Sequence, residues 1–483
     1  MCDRPAVKRT WMSTSQRRPA IPWWGRLLQP WFAATLFIAW YLWQVPSQWQ
    51  YDSMELYRGC RGILDWMQGR SPTVGITRQF PLFQYISGVA AMWAVKRGML
   101  VNIYVIWCTC SLLGLAGIII VFHRVAKHMN RPAVGWAIMV IMLSGPLLMY
   151  AHCTFNELVA AFLILCFTAA VTGSTGPVVC ASLFWLGGIT KETAPAILAV
   201  IWIGTMWIHR SQQNRRRLLT QGIALAIALI ATIATNASFN FLRYRTVWNL
   251  NYLQPHELIR PWSWRAQYCL ALWLSPSGGI VMFWPTLIIP MIGVMVVALR
   301  KRQSAAPAAM VAIILGGLTW GLSGWYTPFG WEAWGPRLML PWMPAALLIL
   351  LRAYPDACGR FVDLCVRDHR VFVITATISC VCALPHVMAA AEPRVVGPFF
   401  DNDWRFPHGA SPLQPEQYYA QNLYLAWQKM PPLLLRPLLY EVTPLQVTEA
   451  ICFIAALLML LRQCQIQNGL SHRAKALHSV FPD

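Results

Sequence analysis

Thirteen apolar runs, separated by connections in which basic residues cluster, constrain this chain more than any other feature of its sequence. They cover roughly residues 27–45, 81–95, 100–122, 133–150, 155–172, 177–190, 193–208, 218–240, 277–299, 306–324, 338–352, 371–390 and 444–461. Crossing the hydrocarbon core takes about 20 residues, and the backbone polar groups inside it must be satisfied within the segment. Runs of this kind therefore predict membrane-spanning α-helices. Composition agrees: 57% of the 483 residues are hydrophobic and 12% are charged, too apolar for a soluble domain of this length. The fold class is all-α, a polytopic integral membrane protein. A net charge of +21 would indicate nucleic acid in a soluble protein. Here the basic residues sit in short loops between apolar runs, the pattern of cytoplasmic connections, and nucleic acid is excluded as a partner. Most of the 14 Cys lie inside apolar runs without metal or redox spacing and read as small hydrophobes.

Orientation follows from charge. Arg4, Lys8, Arg9, Arg17, Arg18 and Arg26 precede the first run, which lacks a small-residue cleavage site and reads as a retained helix with a cytoplasmic N-terminus. The other basic connections, 123–131, 209–217, 300–302, 352–370 and 462–475, are placed on the same side. Between the outer loop after the first span and residue 123 the chain must then cross an odd number of times, yet two runs lie there. One of them does not cross. The run 81–95, short and closed by Lys96 and Arg97, is the better candidate for an interfacial or re-entrant helix on the outer side. About twelve spans remain in a transmembrane domain over residues 1–461, with outer loops 46–99, 241–276, 325–337 and 391–443 and a cytoplasmic tail over 462–483. Matching halves with paired interrupted helices, expected of a transporter built on inverted repeats, are not found.

This topology collects the unusual polar residues on one face. In the stretch 51–81, Asp52 and Glu55 are three apart and share a face of a juxtamembrane helix, with Asp65 further on. Such carboxylates accept a proton from an attacking hydroxyl or hold a divalent metal; equally, they pair with Arg58 and Arg61 on a solvated surface. Glu157, preceded by His152 and Asn156, opens a later apolar run. An acid there marks a site, or is favoured simply by the helix dipole. Lys191 and Glu192 interrupt an apolar stretch before Pro195, either as a tight turn or with the lysine aimed at a phosphate. In 325–344, Glu332 and Arg337 lie among tryptophans. Interfacial position explains the tryptophans but not an outward arginine, whose planar fork suits phosphate. The loop 241–276 adds Arg243, His256 and Arg265, and 391–443 adds Asp401, Asp403 and His408 with many aromatics. Such loops suit a sugar, and they suit packing over the membrane surface. No GxxxxGK loop and no strand-framed GxGxxG is present, so an enzyme with an outward site takes a lipid-linked donor.

These residues resemble the polytopic GT-C glycosyltransferases, the superfamily of protein mannosyltransferases and aminoarabinose transferases. The likeness rests on Asp52 in the loop ending FPLFQY, on Glu157 opening a later span, on the GITK turn, and on the segments SPSGGIVMFWP and FGWEAWGPRLMLPWMP. This chain departs from the usual pattern with Ser277 where Gly is common, Gly278 where Arg is common, and Asn156-Glu157 where Asp is common. The resemblance implies a transfer of sugar from a polyprenyl-phosphate donor to a lipid, glycan or protein acceptor at the outer face of a bacterial inner membrane. It implies Asp52 as general base or metal ligand, Glu157 as a supporting acid, and Lys191 and Arg337 near the lipid phosphate. Glu55, Glu332 and His256 complete the candidate substrate-binding set. A flippase or transporter of a lipid-linked saccharide, or a glycan ligase, would use similar cations and aromatics.

The topology is directly testable by labelling single cysteines in intact cells, with accessible native Cys replaced. A Cys at position 332 is expected to react and one at position 216 to be shielded; the reverse result removes the one-face argument.

Overall fold

The computed structural model describes residues 30–43, 51–69, 82–96, 103–153, 156–173, 175–208, 210, 215–248, 261–325, 329, 334–391, 423–424, 426–427, 432–439, 442 and 444–480. Its regular elements are helices: α1 (Pro30–Trp43), α2 (Tyr51–Met67), α3 (Leu82–Lys96), α4 (Ile103–His128), α5 (Pro132–Leu143), α6 (Glu157–Thr172), α7 (Pro177–Thr190), α8 (Ala194–Ile208), α9 (Arg215–Tyr244), α10 (Trp262–Leu274), α11 (Pro285–Arg300), α12 (Ala306–Ser323), α13 (Met343–Ala353), α14 (Pro355–Arg367), α15 (His369–Ala391) and α16 (Pro444–Val480). Each of the thirteen apolar runs lies on a helix. Among the described residues, five helices are long and apolar enough to cross a membrane outright: Ile106–His128, Leu218–Tyr244, Ala306–Ser323, His369–Ala390 and Gln446–His472. The bent pair Arg337–Ala353 and Pro355–Arg367, turning through 103°, offers a sixth route, and α5, α6, α7, α8 and α11 are shorter apolar helices. The protein is integral to the membrane.

Helix α6 is the hub. It packs against α4, α7, α8, α13 and the 3-10 turn Arg337–Trp342. Leu158, Ala160, Ala161, Ile164, Leu165, Phe167 and Thr168 are buried along it. Close approach depends on α4 being small at the contact: a Cβ at Gly114 would lie 2.8 Å from the Leu158 carbonyl. Without a hydrophobic drive between helices in lipid, such small residues let dispersion contacts form.

Two apolar runs are broken where proline punctuates them, a signal present in the sequence. The run 133–150 divides at Ser144–Pro146 and the run 277–299 at Trp284, whose φ of −140° leaves the helical region before Pro285. The two breaks meet. Trp284 Nε1 donates to the Ile141 carbonyl at 2.9 Å, and Ser144 Oγ bonds Thr286 Oγ1 at 2.9 Å. Backbone and side-chain groups exposed by one break are thus satisfied at the other, as a low-dielectric interior requires. Further helices occupy segments read as connections. α9 continues to Tyr244 and α10 fills 262–274 within the expected loop 241–276. α14 buries Ala357, Cys358, Val362 and Val366 on one side and exposes Leu364 and Arg367 on the other, an amphipathic pattern legible in the basic segment 352–370.

The connections sort to two ends. At one end Arg131 pairs with Asp356 at 2.5 Å, Tyr354 Oη donates to the Ser304 carbonyl at 2.6 Å, and His472 meets Asp363 at 3.2 Å. The basic connections 123–131, 352–370 and 462–475 meet there, beside the residues that follow 300–302. At the opposite end the connections after the 147–150 turn, after α7 and before the turn Arg337–Trp342 converge.

The interlocked breaks leave no room at Gly145, where an added Cβ would strike the buried Trp284 indole. Gly145→Ala is expected to destabilise the protein by about 1–3 kcal/mol, the usual cost of overpacking, with a lowered Tm in thermal melts.

Candidate functional site

The site begins with Glu157, the first residue of α6, 3% exposed. A carboxylate at a helix N-terminus meets the positive end of the dipole, but this depth demands more than a dipole. Two cations supply it. Lys191 Nζ donates to Glu157 Oε1 at 3.3 Å, and Arg337 Nε lies 3.3 Å from the same oxygen. Glu157 Oε2 is buried and, among the described residues, accepts no hydrogen bond. Three separate connections thus deliver one acid and two bases to one point.

Each cation is aimed by its own backbone. Lys191 follows α7 in an extended conformation (φ −143°, ψ 117°), so its side chain and that of Glu192 leave the chain on opposite sides. Asn156 Nδ2 donates to the Thr190 carbonyl at 2.9 Å, tying the end of α7 to the start of α6. Arg337 follows Gly335, whose φ of +69° falls in the left-handed region and whose added Cβ would lie 2.6 Å from the Phe283 ring. Just upstream, the Trp334 amide donates to Tyr150 Oη at 2.9 Å, and Tyr150 Oη donates to the Trp334 carbonyl at 3.1 Å. The Trp334 indole donates to His386 Nδ1 at 2.7 Å, which places the ring proton on Nε2, 2.8 Å from the Phe283 carbonyl. Tyr150, Trp334 and His386 are buried and fix the entry of Arg337 into the site.

The sequence candidates separate into groups. Glu157, Lys191 and Arg337 are brought together. Asp52 and Glu55 lie on the first turns of α2, which packs on α3, but their side chains fall outside the described residues. Glu332 and His256 lie outside them altogether. Lys191 and Glu192 do not act as a mutual pair: Glu192 turns to Arg243, 2.8 Å away. His152 packs its ring 5.2 Å from that of Tyr41 rather than joining Glu157. Tyr150 and His386 went unnoticed in the sequence; a lone polar group inside an apolar run was the available signal. Among the described residues no three His, Cys, Asp or Glu side chains are grouped to hold a metal.

No protein-family model matches the sequence, and no curated protein matches it by sequence. The fold does have solved counterparts. The crystal structure of ArnT from Cupriavidus metallidurans in the apo state superposes with a TM-score of 0.52 at 15% identity, covering 89% of this chain and 76% of that one. The same enzyme bound to undecaprenyl phosphate gives a TM-score of 0.46 at 15% identity, covering 88% and 75% of the respective chains. The architecture expected from FPLFQY, GITK and the other motifs is the one found: this chain has the fold of ArnT, a GT-C aminoarabinose transferase.

Proposed function

We propose that the protein is a glycosyltransferase that moves a hexosyl or pentosyl unit from a polyprenyl-phosphate donor to an acceptor at the non-cytoplasmic face of a bacterial inner membrane. The observation that carries this reading is the convergence of Lys191 and Arg337 on Glu157 at the end opposite the basic loops, within a GT-C-type fold. With about twelve spans and the basic loops inside, that end faces outward, where no nucleotide donor is at hand and a lipid-linked one is.

The acceptor hydroxyl oxygen attacks the anomeric carbon, the bond from that carbon to the phosphate oxygen breaks, and the polyprenyl phosphate departs with the electron pair. Lys191 and Arg337 stabilise the charge that grows on the leaving phosphate, in a site held in place before the reaction begins. Glu157, with one oxygen engaged by both cations, sets their spacing. Asp52 takes the acceptor proton; were a divalent metal bound, Asp52 would be its ligand and the metal would supply polarisation of the hydroxyl. Glu55, Glu332 and His256 are assigned to recognition of the sugar and acceptor.

Arg337 separates anchoring from packing. For undecaprenyl phosphate bound to purified protein, affinity is expected to fall from wild type through Arg337→Lys to Arg337→Ala, because lysine keeps the charge but loses the fork. A purely structural pair predicts instead that Glu157→Gln and Arg337→Ala lower the Tm alike, with affinity unchanged in the folded fraction; that result removes the phosphate assignment.

Asp52 tests chemistry. Asp52→Asn is expected to lower sugar transfer by roughly 10²- to 10⁴-fold, the range for loss of a general base, while undecaprenyl phosphate still binds. Near-normal turnover would shift the role to Glu55 or Asp65, and transport of lipid-linked sugar without transfer would favour a flippase.

A further inference from the structure

The pair Lys191 and Glu157 is held together one residue upstream of each partner. Asn156 Nδ2 donates to the Thr190 carbonyl at 2.9 Å, and Lys191 Nζ donates to Glu157 Oε1 at 3.3 Å; both contacts join positions 34 apart in the chain. Asn156 stands at the N-cap of α6, where an asparagine ordinarily turns its side chain onto the first amides of its own helix. Among the described residues it makes no such cap bond, and its amide goes to the end of α7 instead. Its backbone is nonetheless committed to α6, for its carbonyl accepts the Ala160 amide at 2.8 Å. Asn156 thus belongs by backbone to the helix of Glu157 and by side chain to the connection of Lys191.

The far side of this link is equally fixed. The peptide unit between Thr190 and Lys191 is planar, so its carbonyl and its amide move together. Asn156 holds the carbonyl, and the Lys191 amide donates to the Gly187 carbonyl at 3.2 Å. Thr190 is fully buried, its Oγ1 donates to the Leu186 carbonyl at 2.6 Å, and Asn236 on α9 donates to the Gly188 carbonyl at 3.1 Å. Lys191 itself offers little direction, since an ammonium is a point charge on a flexible four-carbon stem. Nor does the ion pair clamp itself: 3.3 Å is longer than the roughly 2.7–2.9 Å of a closed charge-assisted bond. The direction of the side chain is set by where the Lys191 backbone stands. We propose that Asn156 is a positioning residue for the phosphate site: its amide holds the peptide before Lys191 and so places the ammonium beside Glu157 and the lipid phosphate. The inference rests on the reading above, since it gives Asn156 a role only if Lys191 serves that phosphate.

The experiment measures the Kd of undecaprenyl phosphate for the full-length protein in lipid nanodiscs, with Tm on the same samples, for N156A, K191A and N156A/K191A. N156A is expected to bind about fivefold more weakly, the scale of one lost hydrogen bond. The double variant is expected to bind within about twofold of K191A, because without the lysine there is nothing left to aim. A purely structural bond predicts that N156A lowers the Tm while the folded protein keeps wild-type affinity, and that outcome overturns the proposal. So do losses that multiply in the double variant, which would mean that Asn156 acts on the ligand or the site independently of Lys191. If N156A is too unstable to assay, N156S replaces it, alone and with K191A, under the same criteria, because serine keeps a good N-cap residue but lacks the amide. K191A distinguishes the two levels: unchanged affinity in K191A defeats the phosphate reading and the inference with it, whereas weak binding in K191A beside wild-type affinity in N156A defeats only the positioning role.

Discussion

One carboxylate oxygen, Glu157 Oε1, organises this end of the molecule. At the start of α6, where it is itself buried, Glu157 cannot retreat to water, and a buried charge stripped of its partner typically costs about 3–5 kcal/mol. Lys191 and Arg337 are thereby compelled to approach the same point, although the chain brings them from separate connections. The packing that confines Glu157 is itself steric: Gly114 on α4 lets the α6 backbone close in, and the residues that follow Glu157 are buried against five other elements. Electrostatics sets the constellation, and close packing denies it an alternative.

The same low-dielectric requirement governs the places where helices break. Proline and glycine interrupt the runs around Ser144 and Trp284, and the structure answers each interruption with a side chain from the other. The entry to Arg337 is handled in the same manner: an irregular segment through Gly335 is tolerated because Tyr150 satisfies both Trp334 backbone groups and His386 satisfies the indole. Irregular backbone is satisfied here by two side chains from elsewhere in the fold, Tyr150 and His386. A fixed position is what the proposed transfer asks of Arg337, which would have to stand in place as charge develops.

The proposed chemistry divides labour along the chain. The cations come from connections clamped by α9, α15 and the 147–150 turn, whereas the proposed base belongs to α2, which packs on α3 and stands apart from the α6 hub. A division of this kind would allow the phosphate end of the donor to be held by a fixed frame while the acceptor side varies with the loops around α2.

The sequence by itself determined the all-helical membrane architecture, because thirteen apolar runs leave the backbone no other way to satisfy itself in lipid. It also exposed the anomalous residues, since Glu157, Lys191 and Arg337 each stand where an apolar chain has no local need of charge. Proline spacing carried the helix breaks, and the helical spacing of Ala357, Cys358, Val362 and Val366 carried an amphipathic helix. Only the tertiary structure decided the partners. Arg337 is found on Glu157, far from it in the chain; Lys191 and Glu192 look like one pair and form two. Local spacing could not choose, because ion pairing in a buried site is settled by which carboxylates the helix packing brings within about 4 Å, and that depends on contacts between residues far apart in the chain.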